Sequence, residues 1–345
     1  MDLLESWRSG RAILWVALLS QLVCLVVAYG VIGISIDLLS IYLIGLPILV
    51  SALIAFLYRK RSDAPKLAIG AEATAILMAT LSMGTLLTYS AGTSHFPYAD
   101  TNLRAAGMAI GFDWLGYAGA INDYPWLCRV LSRAYDSFNL QFVLILAVLT
   151  AAGKIERLRN FLFAVFVALS LTCILFIFLP AVSAYGHFGA AARQLTNLYA
   201  PEGDMHVLIL QRHIAILEGL RDGSIRQVSA QTLTGLITFP SFHACAACLF
   251  MWGFWGVKDT RAAALILNLT MLVATPLFGA HYFVDLIGGA AIAITAIVAS
   301  NCLFARAAAC RPLRREPQAV FRPDPLHADD LPVQRPELLQ ARATQ

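Results

Sequence analysis

His281 lies in the run Gly279-Ala280-His281-Tyr282-Phe283-Val284-Asp285, four residues ahead of a carboxylate. On a helix that spacing puts both side chains on one face. A carboxylate accepting one imidazole N–H fixes the tautomer and leaves the other nitrogen's lone pair aimed outward. It also stabilises the positive charge that grows as that nitrogen attacks. His281 with Asp285 therefore reads as an activated nucleophile and its orienting partner. His243, in Phe239-Pro240-Ser241-Phe242-His243-Ala244, comes 38 residues earlier. That separation holds one helix in, a short turn and one helix out, so both imidazoles reach the same membrane face. His243 is then free to protonate a leaving group. Pro240-Ser241 precedes the helix of His243, where a missing N–H costs nothing. The unpaired first-turn N–H groups and the Ser241 hydroxyl make an anion site, and phosphate suits a histidine nucleophile at a lipid surface. An HxxxD pair could equally be a structural hydrogen bond or two metal ligands. No third ligand sits at sensible spacing, and no metal or cofactor is expected.

The elements that position these groups follow from composition. Of 345 residues, 59% are apolar and 13% charged, against roughly 45–50% and about 25% in soluble domains. Mean hydropathy is +0.70. One core cannot hide that excess at this length, which argues against a soluble enzyme, a disordered chain or a nucleic-acid-binding domain. The chain reads as an all-α, polytopic membrane helical bundle. Eight segments suit a span of about 20 residues: 12–34, 38–58, 67–90, 138–153 (beginning nearer 132), 158–180, 242–257, 262–279 and 282–305. The first resembles a signal peptide, but its apolar run continues through Ile34 and it reads as a retained anchor.

Basic residues fall in alternate loops: Arg8 and Arg11, Arg59 to Lys66, Lys154 to Arg159, Lys258 and Arg261, and Arg306 to Arg315. The positive-inside rule then places both termini in the cytoplasm and both histidines on the opposite side. Two long outer connections, 91–131 and 181–241, are long enough to be functional or to hold short helices. Phe112, Trp114 and Trp126 suit an interface, and Met205 to Leu220 suits an amphipathic helix. The Pro-rich, charged tail 311–345 reads as a disordered cytoplasmic extension. The expected organisation is a three-span region, 1–92, a five-span catalytic core, 93–310, and that tail.

Other polar groups read as structural. Glu72 is expected to pair within the bundle, and Asp113, Asp123 and Asp136 to cap helices or hold loops. His95, His187, His206 and His213 share no spacing and read as surface or interfacial. Cys245 and Cys248 form a CxxC inside an apolar helix, where packing is the default.

Pro-Ser-x-His followed by His-x-x-x-Asp resembles the second and third signatures of the type 2 phosphatidic acid phosphatase (lipid phosphate phosphatase) superfamily. The wording Phe-Pro-Ser-Phe-His-Ala and His-Tyr-Phe-Val-Asp-Leu-Ile-Gly-Gly is closer to its inositol phosphorylceramide synthase-like branch. The specific likeness covers 219–290, and a looser one reaches back to Gly111-Phe112-Asp113-Trp114 and Tyr135-Asp136-Ser137. The resemblance implies a metal-independent phosphotransferase in which His281 becomes a phosphohistidine, Asp285 orients it and His243 donates the proton. The family pattern puts Arg where this chain has Thr275, and its first signature has only an echo in Arg193 and Ala200-Pro201. Arg221 is the better candidate for a phosphate clamp, with Arg212 and Arg226 behind it.

The reading is an enzyme of the plasma (inner) membrane, a lipid phosphate phosphatase or phosphotransferase, acting on a phosphorylated lipid within the bilayer at the non-cytoplasmic face. An inositolphosphoryl-type headgroup transferase is the first alternative. A non-catalytic transporter or scramblase is the second, although no internal repeat points that way.

Overall fold

The structure is a computed structural model describing residues 3–61, 64–199, 205–229 and 233–309. The tail 311–345 and the Ala200-Pro201 echo lie outside the described residues. Along the chain come α1 (Leu3–Ile32), α2 (Leu38–Tyr58), α3 (Pro65–Gly92), α4 (Asp100–Ala109), α5 (Trp114–Asn122), α6 (Pro125–Asp136) and α7 (Phe138–Ala151). Then follow α8 (Ile155–Phe178), α9 (Ala184–Phe188), α10 (Ala190–Arg193), α11 (Met205–Asp222), α12 (Phe242–Phe254), α13 (Arg261–Phe278) and α14 (Phe283–Ala309). Two short strands, β1 (Ser35–Ile36) and β2 (Gln227–Val228), pair in parallel and tie the α1–α2 link to the segment after α11.

Among the described residues six helices are long and apolar enough to cross a membrane, or seven when α6 and α7 count as one span bent by 50°. A helical membrane bundle is what the composition required, since only internally satisfied backbone survives in hydrocarbon. The count of eight needs correction at two places. The expected span beginning near 132 is broken at Ser137, the residue between α6 and α7. The expected span 242–257 forms a helix of 13 residues, about 20 Å long, against ~30 Å of hydrocarbon. It starts at Phe242 as expected, behind the Ser241 cap, but ends at Phe254, short of a 3-10 turn at Lys258–Thr260.

The core gathers around α8, which packs against α1, α3, α12 and α14. Its buried stripe of Leu158, Phe161, Leu162, Val165 and Ala168 meets Leu14 and Leu18 of α1, Ile76 of α3 and Phe250 of α12. By contrast α2 leans chiefly on α3 and shows most of its surface outward; a helix apolar all round that is not inside a core faces lipid. Glu72 is paired as expected: its carboxylate accepts N–H bonds from Trp7 (2.8 Å) and Trp15 (3.0 Å), and Arg11 Nε lies 3.4 Å away. Cys245 is buried and Cys248 half-buried in the same apolar core, both as free thiols. The two long connections do build their own helices, α4 to α6 and α9 to α11. Trp114 is not interfacial. It is 3% exposed, donates to the Pro276 carbonyl at 2.9 Å and stacks on Phe188.

Glycine sets the closest approach. A Cβ on Gly289 of α14 would run into the Ser241 carbonyl and lie 3.0 Å from Cys245 N, both backbone at the start of α12. On Gly288 it would meet side chains, Pro240 Cβ at 3.1 Å and the Phe239 ring. Backbone cannot swing aside as a side chain can. Gly289→Ala is therefore expected to lower the thermal unfolding midpoint by the equivalent of ~1–3 kcal/mol or more, and Gly288→Ala by distinctly less. Equal midpoints for the two would contradict this packing.

Candidate active site

A cavity of about 490 Å³ opens between α3, the α6–α7 bend, α11, the segment 233–238, the start of α12 and the turn before α14. His206, His213, His243 and His281 all line it, with Tyr135, Asp136, Phe138 and Ser183. Leu81, Leu169, Ile209 and Phe242 supply apolar wall. The two histidines singled out by spacing thus face one space.

His281 is 3% exposed and stands on the turn between α13 and α14, not on a helix. Its link to Asp285 is consequently a capping contact instead of a helix-face pair. Asp285, fully buried, accepts from Tyr282 N at 2.9 Å and approaches His281 Nδ1 at 3.2 Å, both through Oδ2. A carboxylate accepts, so Nδ1 carries the proton and Nε2 keeps its lone pair. A Cβ built on Gly279 would lie 2.9 Å from His281 Nε2 and 2.9 Å from the Tyr135 hydroxyl oxygen. The lone pair and the phenol therefore flank the bare face of Gly279.

His243 is held from the other side. Tyr135 stacks on its ring (centroids 4.3 Å apart, 14° between planes) and Phe138 packs against it at 4.3 Å. The Tyr135 hydroxyl is 3.4 Å from His243 Nδ1. The break at Ser137 explains this cradle: Tyr135 ends one helix and Phe138 begins the next, so both rings reach one imidazole. The Tyr135 hydroxyl then stands between the two catalytic candidates. Ser241 N donates to the Asp285 carbonyl at 3.0 Å, which locks the start of α12 to the start of α14.

The turn bearing His281 is also clamped from outside. Asp100, at the start of α4, accepts from Val182 N (2.8 Å), Ser183 N (3.1 Å) and the Tyr282 hydroxyl (3.0 Å). Ala184 N donates to Ala280 O at 2.8 Å. Ser183 (φ 117°) and Ala280 (φ 50°) both hold positive φ without being glycine, a strain of order 1–3 kcal/mol each that persists only where surroundings enforce it.

A family model described as the PAP2 superfamily matches residues 101–299, more than half of the chain. The chain belongs to the PAP2 superfamily. Membership brings phosphatase or phosphotransferase chemistry on phosphorylated lipids in general. No curated protein and no solved structure matches the chain. The matched stretch contains Tyr135, His206, His213, His243, His281 and Asp285, whereas Leu81, Thr85 and Thr88 of the cavity wall come from α3, ahead of it.

Against the PAP2 pattern, several expected residues sit elsewhere. Arg221 does not line the cavity. Its guanidinium donates to the Ser94 (2.6 Å) and Phe96 (2.9 Å) carbonyls and lies over Tyr98, pinning the end of α11 to the loop after α3. Arg212 and Arg226 are exposed and also outside the lining. Ser241 is fully buried and spends its hydroxyl on Ala244 N at 3.3 Å, so it caps α12 and does not face the cavity. Thr275 is buried, its hydroxyl bonded back to Met271 O. The reading of His206 and His213 as surface groups is overturned, because α11 folds across the cavity and carries both inward. His206 Nε2 pairs with Asp136 Oδ1 at 3.0 Å. His213 lies between the Gly235 carbonyl (3.3 Å) and the Thr238 hydroxyl (3.4 Å). Their spacing of seven, two turns of helix, was the signal available in the sequence. Asp113 caps α5 as expected, accepting from Gly116 N. Asp100 carried no comparable signal, since its partners are distant in the chain, and Tyr135 was marked only by the looser family likeness, without a role. Among the described residues no group of three or more His, Cys, Asp and Glu side chains is placed to hold a metal ion.

Gly279 has φ −89° and ψ −6°, which alanine adopts freely. Gly279→Ala should therefore carry no backbone strain yet displace the His281 ring, lowering the melting midpoint modestly, whereas a displacement near 1 Å is worth on the order of 100-fold in turnover. Wild-type activity in this variant would refute the crowding described. A second expectation concerns acid. Burial, reinforced by the neighbouring His281, pushes the His213 imidazole down to about 4 from its ordinary 6.5. The unfolded chain then binds a proton that the folded chain refuses, so stability is full above about pH 6.5 and falls as pH drops towards 4. Between pH 7 and pH 5 the loss is ~2 kcal/mol, and it should be visible as a midpoint that drops more steeply in the wild type than in His213→Gln.

Proposed function

We propose that the chain is a membrane phosphotransferase that passes a phosphoryl-linked group from a lipid through a phosphohistidine on His281. The observation carrying this reading is the buried Asp285 carboxylate at His281 Nδ1, with the opposite ring edge open to a cavity that His243 shares. In the first step Nε2 forms a bond to phosphorus as the bond from phosphorus to the lipid oxygen breaks. His243 gives its proton to that departing oxygen. In the second step an acceptor hydroxyl attacks phosphorus, His243 takes the acceptor's proton, and the N–P bond breaks to restore His281. Asp285 stabilises the imidazolium throughout. Tyr135 positions His243 by stacking.

Water as acceptor gives a phosphatase and an alcohol gives a transferase. The second reading is favoured by one observation: among the described residues neither Lys nor Arg lines the cavity. A phosphodiester brings one negative charge and a phosphomonoester close to two, and unpaired charge in a recess is expensive. The substrate class that fits is a phosphodiester lipid, with headgroup transfer to an alcohol. The wording from Phe239 to Ala244 and from His281 to Gly289 supports the inositol phosphorylceramide synthase-like branch. Placement on the non-cytoplasmic side follows from the basic residues at the other ends of the spanning helices.

The test uses purified protein in chelator with labelled phosphodiester and phosphomonoester lipids, with and without an alcohol acceptor. Headgroup release or exchange should vanish in His281→Ala and His243→Ala and fall ~10²–10⁴-fold in Asp285→Asn. An acid-labile phosphoenzyme should form in the wild type and be absent from His281→Ala. Undiminished turnover in His281→Ala ends the mechanism, and faster turnover of phosphomonoesters than of phosphodiesters ends the transferase reading.

A further inference from the structure

A second recess lies at the other end of α3. The cavity of the histidines touches Leu81, Thr85 and Thr88, while a pocket of about 260 Å³ touches Ala68, Ile69 and Glu72. From Ile69 to Thr88 the helix rises about 28 Å, nearly the thickness of the hydrocarbon layer. The pocket is completed by Trp7, Arg8 and Arg11 of α1 and by Arg59 and Lys60, which follow α2.

Four cations and one carboxylate therefore line a small space. Glu72 takes the N–H bonds of Trp7 and Trp15 and pairs with Arg11. Arg8, Arg59 and Lys60 remain exposed around the mouth, and Arg59 is steadied over the Phe56 ring, 4.0 Å from its centroid. Cations gathered this closely repel one another unless an anion joins them. At about 260 Å³ the pocket has room for a phosphate with its glycerol. Its surroundings point to a lipid as the source. Leu53, Phe56 and Leu57 of α2 and Trp15, Val16 and Leu19 of α1 are exposed apolar groups beginning one to three turns from the basic rim, so acyl chains have a surface to lie along.

We propose that this pocket holds the phosphate of an anionic glycerophospholipid, on the membrane face opposite the histidine cavity. Basic recesses between helices at that level are suited to such headgroups. The lipid would bridge α1, α2 and α3, and α2 is the helix with the least packing of its own.

The full-length protein, purified in neutral detergent, is titrated with phosphatidylglycerol, phosphatidylcholine or inorganic phosphate while thermal unfolding is followed. A saturable rise in midpoint with phosphatidylglycerol and none with the other two supports the site. The triple variant Arg8→Gln, Arg59→Gln, Lys60→Gln should lose that rise. Because those charges also guide insertion, the single variant Arg59→Gln is measured beside it and should show at least tenfold weaker apparent affinity. Lys154→Gln with Lys258→Gln, which removes charge outside the pocket, should keep the wild-type response. Equal rises with phosphatidylglycerol and phosphatidylcholine, an undiminished rise in Arg59→Gln, or a rise with inorganic phosphate alone would each overturn the proposal. None of these readouts depends on turnover at His281.

Discussion

One buried carboxylate holds the histidine-bearing end of this bundle together. Asp285 is at the third position of α14, where its side chain satisfies the Tyr282 N–H and meets His281 Nδ1, while its own backbone carbonyl takes the Ser241 N–H. Helix capping, tautomer selection and the registration of α12 on α14 thus share one residue. In a low-dielectric setting such a network stays worthwhile only when its members are placed together. Gly288 and Gly289 allow that placement by letting α14 close onto the turn of Pro240 and Ser241. The two sequence signatures are therefore one structural object.

Around that object the site is built from rings and backbone more than from fixed charge. Tyr135 and Phe138 grip His243, α11 lowers His206 and His213 over the cavity, and Asp100 ties the outer segment at 182–183 to Tyr282. Electrostatic preorganisation is most effective when groups need not move as charge develops. Here ring packing orients His243, and the buried Asp285 carboxylate orients His281. The His206–Asp136 pair sits at the same cavity, where the guanidinium groups of Arg212, Arg221 and Arg226 do not reach.

The helical membrane architecture was legible because composition and long apolar runs report directly on the solvent a chain must meet. His243 and His281 were legible because their local wording is distinctive, and both do line one cavity. Boundaries were less so. Hydropathy reads 242–257 as a span and finds its start, but it does not register that the helix already stops at Phe254, nor that the chain breaks at Ser137. Groups whose partners lie far away in sequence were harder to read: Asp100, which meets Tyr282 across 182 positions, was missed, and Tyr135, which meets His243 across 108, was noted only within a loose likeness and given no role. Arg221 misled for the same reason. Charge marks a residue as polar, and only the fold reveals that carbonyls of Ser94 and Phe96 already occupy it.

The brevity of α12 bears on how a lipid reaches the histidines. A helix about 20 Å long leaves some 10 Å of hydrocarbon unmatched. The bilayer must thin beside it, and thinning on the side of the Ser241 cap brings the polar boundary towards His243 in the first turn. Under the proposed function, a lipid drawn sideways into the cavity then needs to rise less far out of its leaflet. Each methylene that stays among its neighbours saves ~0.8 kcal/mol of exposure to water. A stunted helix thereby becomes a ramp for greasy cargo.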